Sequence, residues 1–350
     1  MPGVKRLLAA LACASAICAP LAAMAQEDHP LSLGHVEFVS SASGQAQSDF
    51  INGLLALHSV WYDKAREYFV QAEKDDPSFG MAYWGEAMTY DNAFQVEPDL
   101  EGQERQGVMA VTRLNQLDGA GKLRWNPLEK GFAEAVKVRF QANEDLDTRR
   151  DGYAAAMAEL SAKYPNDDEV TTFTALAVMA LSRFDNNDAR DVVSVAARLE
   201  EVFQHNPHHP GALLYLIQLY ATPTFALMGK RQAVIYAQIA PPDVHALHMP
   251  SHIFRILNMW PEVERSNQDA WRVAVERQQK AGGPFRTRDI HALTWLIDAE
   301  LNLGRFEDAR KTIAGLDALA AANKGPDWDQ FRQVVTVLKG NYSQTAPKPQ

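Results

Sequence analysis

Three histidines within eight residues are the part of this chain best suited to chemistry: His245, His248 and His252 in the stretch HALHMPSH. Their i, i+3, i+7 spacing places them within an arc of about 60° on one helical face. Neutral imidazole binds Zn²⁺, Cu²⁺ and Ni²⁺, so the spacing predicts a candidate metal or ligand site. Pro250 lies among them and removes a backbone donor, which predicts a kink or a fresh helix start.

Residues elsewhere in the chain extend this candidate site. His209 precedes the stretch and His291 follows it, so the sequence predicts up to five imidazoles on one concave wall. The candidate groove residues are His209, His245, His248, His252, His291 and Trp295, and the candidate metal ligands are His245, His248, His252 and His291. Further ligands are offered by the carboxylates of Asp243, Asp289 and Asp298, and by Met249 and Met259, which suit copper(I).

Helix packing is the competing interpretation of the same residues, and on the sequence alone we prefer it. A histidine at a helix corner often donates to a carbonyl left free by a neighbouring proline, and it then stabilises packing without binding an ion. The chain has no HExxH pair, and we take the i, i+3, i+7 spacing as looser than a metal-binding i, i+4 pair. No cofactor is therefore firmly predicted, and zinc or copper stays the possible ion.

Other groups in the chain offer less chemistry. In HNPHHP at 205–210, we expect His205 to neutralise a helix C-terminus and His208 to be solvated. The acidic pair Asp167-Asp168 lies at a predicted helix end, where capping explains it. No GxSxG elbow surrounds Ser251 or any other serine, and no glycine-rich phosphate loop is present. Whether the protein is an enzyme stays open, and a non-enzymatic role is preferred.

The first 25 residues match a secretory signal peptide. Two basic residues precede a short apolar run at 7–21, and Ala23-Met24-Ala25 fits the small-residue cleavage rule. We therefore expect an exported protein, periplasmic or secreted, with no membrane insertion after cleavage. Both cysteines, Cys13 and Cys18, lie in this segment, so the mature chain has no thiolate ligand, cysteine nucleophile or disulfide.

The charge of the mature chain narrows the class of partner. Cleavage removes Lys5 and Arg6 from the 34 basic residues and leaves 32 against 44 acidic ones, a net charge of −12. Such a balance favours solubility and argues against nucleic acid or an anionic lipid surface as partner. A protein or peptide partner is the expectation.

Residues 45–340 have the pattern of amphipathic helices separated by Pro, Gly or Asn/Asp. The sequence predicts helices at 50–58 and 62–74 joined at Ser59-Val60, and a similar corner at Gly304. Alanine at a close helix crossing and an aromatic residue at the corner are typical of tetratricopeptide-type pairs. We predict an all-α fold, a tetratricopeptide-like α-solenoid of antiparallel helix pairs over 45–340. An extended arm at 26–44 precedes it, and a disordered tail at 341–350 follows.

Three stretches carry a family resemblance: 53–90, HALHMPSHIF at 245–254, and DIHALTWLIDAELNLGRFEDAR at 289–310. Through them the chain resembles tetratricopeptide-like proteins, and within these a bacterial, often exported family with an HPGA…HALHMPSHIF pattern. The HMPSHIF match is the specific one, whereas the other two are ordinary repeat signatures. The resemblance implies a helical-repeat fold more than a function.

In one place the chain departs from that family's pattern. The resemblance implies that His-Pro-Gly-Ala is followed by two histidines four residues apart and then an aspartate. Here residues 209–212 match, but the two histidine positions hold Leu214 and Gln218, and the aspartate position holds Ala221. If the family uses a polyhistidine site, this chain lacks half of it, which weakens a metalloenzyme interpretation.

Two functions follow from these observations. The first is an exported binding or scaffold protein that holds a peptide, a protein or a small ligand in a concave groove. The alternative is a metal-binding protein or metal-dependent enzyme that uses the histidine cluster. Geometry separates them, because the alternative requires at least three imidazole nitrogens within coordination reach of one point, beside an open pocket.

Overall fold

A computed structural model describes residues 33–94, 99–181, 188–282 and 285–346. The predicted signal peptide at 1–25 and the first part of the predicted arm, 26–32, lie outside these ranges. Within them the regular structure is helical, which confirms the all-α class, and the β contact recorded there is an isolated bridge between Phe79 and Arg124. No helix in the described ranges is long and apolar enough to cross a bilayer.

The helices follow one another with short connections. The first eight are α1 (Gly44–His58), α2 (Tyr62–Asp75), α3 (Gly80–Met88), α4 (Leu100–Gly119), α5 (Pro127–Arg139), α6 (Leu146–Lys163), α7 (Asp168–Met179) and α8 (Ala189–His205). The next eight are α9 (Pro210–Tyr220), α10 (Lys230–Ile239), α11 (Val244–His248), α12 (Pro250–Ile256), α13 (Trp260–Ala281), α14 (Thr287–Asn302), α15 (Phe306–Ala322) and α16 (Pro326–Thr345).

Three of the helix corners share one backbone geometry. Val60, Asn258 and Gly304 each follow a helix and adopt positive φ, at 55°, 55° and 73°. In each corner the next residue donates to a carbonyl five residues earlier, as Schellman C-caps do. These bonds are Trp61 N to Ala56 O (3.0 Å), Met259 N to Phe254 O (2.8 Å) and Arg305 N to Glu300 O (2.8 Å). The corners predicted at Ser59-Val60 and Gly304 are therefore confirmed, and the same reversal turns α12 into α13.

Side-chain caps explain where many helices begin. Asn126 forms a capping box with Glu129, and Asp167 accepts from the Val170 amide. Asp243 accepts from the amides of His245 and Ala246 at the start of α11. The capping interpretation of Asp167 is confirmed, because a short polar side chain at this position replaces a missing intrahelical acceptor.

The described part of the predicted arm is extended and packed on the helices. Leu33, Val36 and Phe38 are buried, while the His35 amide donates to the His208 carbonyl at 2.9 Å. The Asn206 side chain in turn donates to the His35 carbonyl at 2.9 Å. The arm is therefore fixed by burial of these three apolar side chains and by hydrogen bonds to the loop before α9.

The buried apolar side chains form two core clusters. The larger one draws on residues from Leu33 to Val263 together with Ala299, and the smaller one on Val244 and residues from Ala270 to Leu338. Residues of α11 and α14 contribute to both clusters. Helices α11, α12, α13 and α14 contact one another there and bring the predicted site residues together.

At its C-terminal end the structure differs from the sequence prediction. A disordered tail is predicted from residue 341, yet α16 continues to Thr345. Tyr342 packs against the smaller core cluster, and the Ser343 hydroxyl donates to the Lys339 carbonyl at 2.9 Å. Packing of this partly buried aromatic ring thus extends the helix further than composition suggests. Residues 347–350 lie outside the described ranges.

Candidate functional site

Within the described residues, histidines gather in two places, and in each the ligand atoms lie within 4.8 Å of one another. The first group, here called the open cluster, consists of His248, His252 and His291. The second, here called the buried cluster, consists of His58, Glu169 and His209. Both groups have donor atoms that could hold a metal ion, and they differ in exposure. In the open cluster His248 is buried, His252 is half-buried and His291 is exposed. All three side chains of the buried cluster are buried.

Two histidines of the open cluster come from one continuous backbone path. His248 ends α11 and His252 lies in α12, and Met249 between them keeps helical dihedrals of −53° and −41°. Pro250 starts α12 anew, which confirms the predicted restart. The two residues are an i, i+4 pair whose Nε2 atoms lie 3.1 Å apart. The spacing argument above, which judged the three histidines together, missed this pair.

The third histidine comes from α14, one turn before Trp295. The His291 ring centroid lies 4.7 Å from that of His248 and 6.2 Å from that of His252. Trp295 contacts all three imidazoles, with ring centroids 4.7, 4.8 and 5.1 Å from those of His248, His252 and His291. The indole thus forms a rigid wall that limits how far each imidazole ring can turn.

Asn267 on α13 determines which nitrogen of His248 carries the proton. Its amide nitrogen donates to the Val263 carbonyl at 2.8 Å, so its oxygen must face His248 Nδ1, at 2.5 Å. An oxygen acceptor at this distance requires a proton on Nδ1, so neutral His248 has its lone pair on Nε2, where in the absence of an ion it accepts a hydrogen bond from His252 Nε2 at 3.1 Å. Metal-binding histidines have such a partner for their other nitrogen. Ser251 donates to the His248 carbonyl at 2.6 Å and so fixes the backbone of the same turn.

Burial and neighbouring positive charge keep these imidazoles neutral. Burial and the nearby His252 hold the pKa of His248 well below its usual value. Burial, His291 and Arg255 lower the pKa of His252 to about 4, and burial and Arg255 lower the pKa of His291. At neutral pH the three rings therefore present lone pairs rather than positive charges.

Several residues predicted for this site lie elsewhere. His245 is half-buried and does not belong to the set within 4.8 Å, and His209 belongs to the buried cluster. The prediction that five imidazoles converge is therefore wrong. The three candidate carboxylates also have other partners: Asp243 caps α11, Asp289 pairs with Arg277, and Asp298 pairs with Arg255.

The buried cluster is a closed set of hydrogen bonds. Glu169, near the start of α7, accepts from His58 Nε2 at 2.7 Å and from His209 Nε2 at 3.1 Å. The Tyr215 hydroxyl lies 3.1 Å from His58 Nδ1. His58 ends α1 and His209 precedes α9, so one carboxylate joins three helices that are far apart in the chain.

His209 and His248 carry their protons on different ring nitrogens. His209 is the N-cap of α9, and its Nδ1 accepts from the Ala212 amide at 3.2 Å. The proton of neutral His209 must then be on Nε2, where it is donated to Glu169, so this nitrogen has no lone pair for a metal. Burial would raise the pKa of Glu169, but His58 and His209 lower it to about 2. Burial lowers the pKa of His58. The buried cluster is therefore assigned to packing.

The remaining histidines of the HNPHHP stretch are exposed. His205 lies 3.4 Å from Asp168 at the surface, and the His208 ring faces solvent. The expected solvation of His208 is confirmed, while the backbone of this loop serves to hold the N-terminal arm.

Sequence reasoning missed several residues of these clusters. His58 and Glu169 of the buried cluster and Asn267 beside the open cluster were not among the candidate site residues. Asn267 follows no motif in α13, although a lone buried amide on an amphipathic face is a signal that could have been noticed. Long-range pairing of this kind leaves no spacing in the sequence.

Comparisons with known proteins do not identify a role for either cluster. No protein-family profile matches the chain, and no curated protein matches it either. The resemblance to exported tetratricopeptide-like proteins therefore stays a prediction.

Proposed function

We propose that this protein binds a divalent transition-metal ion, zinc or copper, through His248, His252 and His291. The observation that supports the proposal best is the 3.1 Å separation of two Nε2 atoms of an i, i+4 pair. Two nitrogen ligands of a tetrahedral ion with bonds of about 2.0–2.1 Å are separated by about 3.3 Å. The pair is thus close to the spacing that coordination requires without any movement of the backbone.

The chemistry of the three rings supports the same proposal. Neutral imidazole suits zinc and copper(II), and the low pKa of His252, about 4, keeps its lone pair available in mildly acidic surroundings. Three protein ligands leave a tetrahedral ion with one further position, as in exchangeable or catalytic sites, whereas structural sites use four. Because His291 is exposed, we expect that position to face solvent.

The test is metal content by plasma mass spectrometry on untagged mature protein purified from the exported fraction. His291→Ala is the informative variant, because its ring is exposed and its removal leaves the core intact. The matched control is His208→Ala, a second exposed histidine. We expect near-stoichiometric zinc or copper in the wild type and the control, and its loss in His291→Ala with unchanged helicity.

Two outcomes would overturn the proposal. One is wild-type protein that holds no ion and takes up none on titration with Zn²⁺ or Cu²⁺. The other is metal retained in full by a double variant, His252→Ala/His291→Ala, since a single remaining imidazole does not hold an ion tightly.

The scaffold role predicted from the sequence stays a second proposal. It is supported by the sequential helix pairs, since α1 packs on α2 and α14 on α15, and by the common corner geometry. Arrays of such pairs form extended binding surfaces in α-solenoids. Pull-down from exported fractions with the wild type and His291→Ala separates the two roles, because a scaffold partner unrelated to the metal is captured by both.

A further inference from the structure

Among the described residues, the open cluster has no acidic ligand, although three aspartates lie near it in the sequence. His248, His252 and His291 are neutral ligands, so a bound divalent ion keeps its full double charge. His248 is only 3 % exposed, and positive charge in so enclosed a place is costly without an anion beside it. The ion therefore favours an anionic fourth ligand over a neutral one.

A second positive charge lies beside the same opening. Arg255 follows His252 by three residues on α12, and its guanidinium carbon lies 4.9 Å from the Trp295 ring centroid. Its Nε donates to Asp298 at 3.1 Å, which orients the guanidinium over the indole. In the described parts of the chain, its two terminal nitrogens make no hydrogen bond to another side chain. They are available to an incoming acceptor.

The open cluster and Arg255 contact the same indole. Trp295 contacts each of the three imidazoles and also Arg255, so the guanidinium and the imidazole rings lie around one indole. The site is open to solvent on the side of His291. An ion in the open cluster and a guanidinium on the same indole together present two positive groups to whatever enters.

From this geometry we infer that the metal's open position takes a small oxyanion, a carboxylate or a phosphate, which also accepts hydrogen bonds from Arg255. The inference rests on the proposed metal site and adds its ligand class. Guanidinium suits it because its paired N–H groups match the oxygens of carboxylate and phosphate. Asp298 acts as a positioning residue that holds Arg255 in place.

The experiment uses the mature protein loaded with Co²⁺, whose visible absorption reports its coordination. The loaded protein is titrated with sodium acetate in one arm and sodium phosphate in the other, at constant ionic strength with perchlorate. We expect a saturable spectral change with at least one anion, and the tighter of the two identifies the preferred group. The same titrations are made with Arg255→Gln, Arg255→Lys and the surface control Arg310→Gln.

We expect Arg255→Gln to bind Co²⁺ with unchanged stoichiometry and to weaken the anion by about tenfold or more, as loss of a charged donor does. Arg255→Lys restores part of that affinity, and Arg310→Gln behaves as the wild type. Equal anion affinity in Arg255→Gln and wild type, or no spectral response to either anion, overturns the inference while the metal site stands. Absence of any bound Co²⁺ overturns the metal site itself.

Discussion

The two histidine clusters use the same side chains with their protons on opposite nitrogens. In the buried cluster, His209 accepts from a backbone amide through Nδ1 and donates to Glu169 through Nε2. In the open cluster, His248 donates through Nδ1 to Asn267, and its Nε2 faces that of His252. The group placed at Nδ1 therefore decides whether a histidine packs or offers a ligand.

The clusters also differ in the hydrogen-bond partners of their imidazole nitrogens. Every nitrogen of His58 and His209 has a partner within the fold, and the carboxylate of Glu169 balances them. In the open cluster the facing Nε2 atoms of His248 and His252 have only each other as hydrogen-bond partners, and no carboxylate of the described residues belongs to the cluster. Imidazoles joined by a buried carboxylate stabilise the fold, whereas imidazoles that face only each other next to solvent can exchange that hydrogen bond for an exogenous ligand.

The largest expected effect is on stability in the buried cluster. His209→Ala removes the α9 cap and one donor to the buried Glu169, so we expect the free energy of unfolding to fall by about 3–4 kcal/mol. Chemical denaturation followed by circular dichroism measures it, with His208→Ala as the exposed control. Metal content of His209→Ala protein that is still folded should match the wild type. Loss of metal in that variant would show that the two clusters are not separate.

A smaller effect is expected where Asn267 orients His248. Asn267→Ala removes the acceptor at Nδ1, so the tautomer with a free Nε2 loses its support and we expect zinc affinity to fall about 10- to 100-fold. Competition with a chromophoric chelator measures this affinity. Asn267→Asp keeps an acceptor at the same place and should retain affinity near that of the wild type. Equal affinities in all three proteins would mean that Asn267 serves packing alone.

The third expected effect is on how the folding stability of the metal-free protein depends on pH. The pKa of His252 is about 4 in the folded chain and about 6.5 when unfolded, so the unfolded state binds the additional proton between these values. Stability should therefore fall as pH falls from about 6.5 to 4, by at most about 1.4 kcal/mol per pH unit for this histidine. Glu169, with a pKa of about 2, loses its contribution only below about 4.5.

Denaturation midpoints measured from pH 7 to 4 test this dependence. His252→Gln should give a flatter curve than the wild type in the upper range, while His208→Gln should follow the wild type. If His252→Gln and wild type have parallel curves, the imidazole is not held neutral by its surroundings.

Local patterns predicted much of the helical framework. The turn at Ser59-Val60, the corner at Gly304 and the restart at Pro250 depend on residues close in sequence, through backbone reversal or a missing donor. The disordered tail was predicted to start too early, at residue 341, because the packing of Tyr342 on the smaller core cluster is a tertiary contact. For the same reason His209 was assigned to the wrong group.

The sequence by itself determined the all-helical class and placed three of the candidate ligands, His248, His252 and His291, because helical periodicity and residue type are local properties. Only the tertiary structure decided which histidines meet and which nitrogen each one offers. Glu169 meets His58 and His209 across 111 and 40 positions, and Asn267 meets His248 across 19. Such contacts depend on how helices pack, and no local period encodes which polar partner lies opposite a given ring.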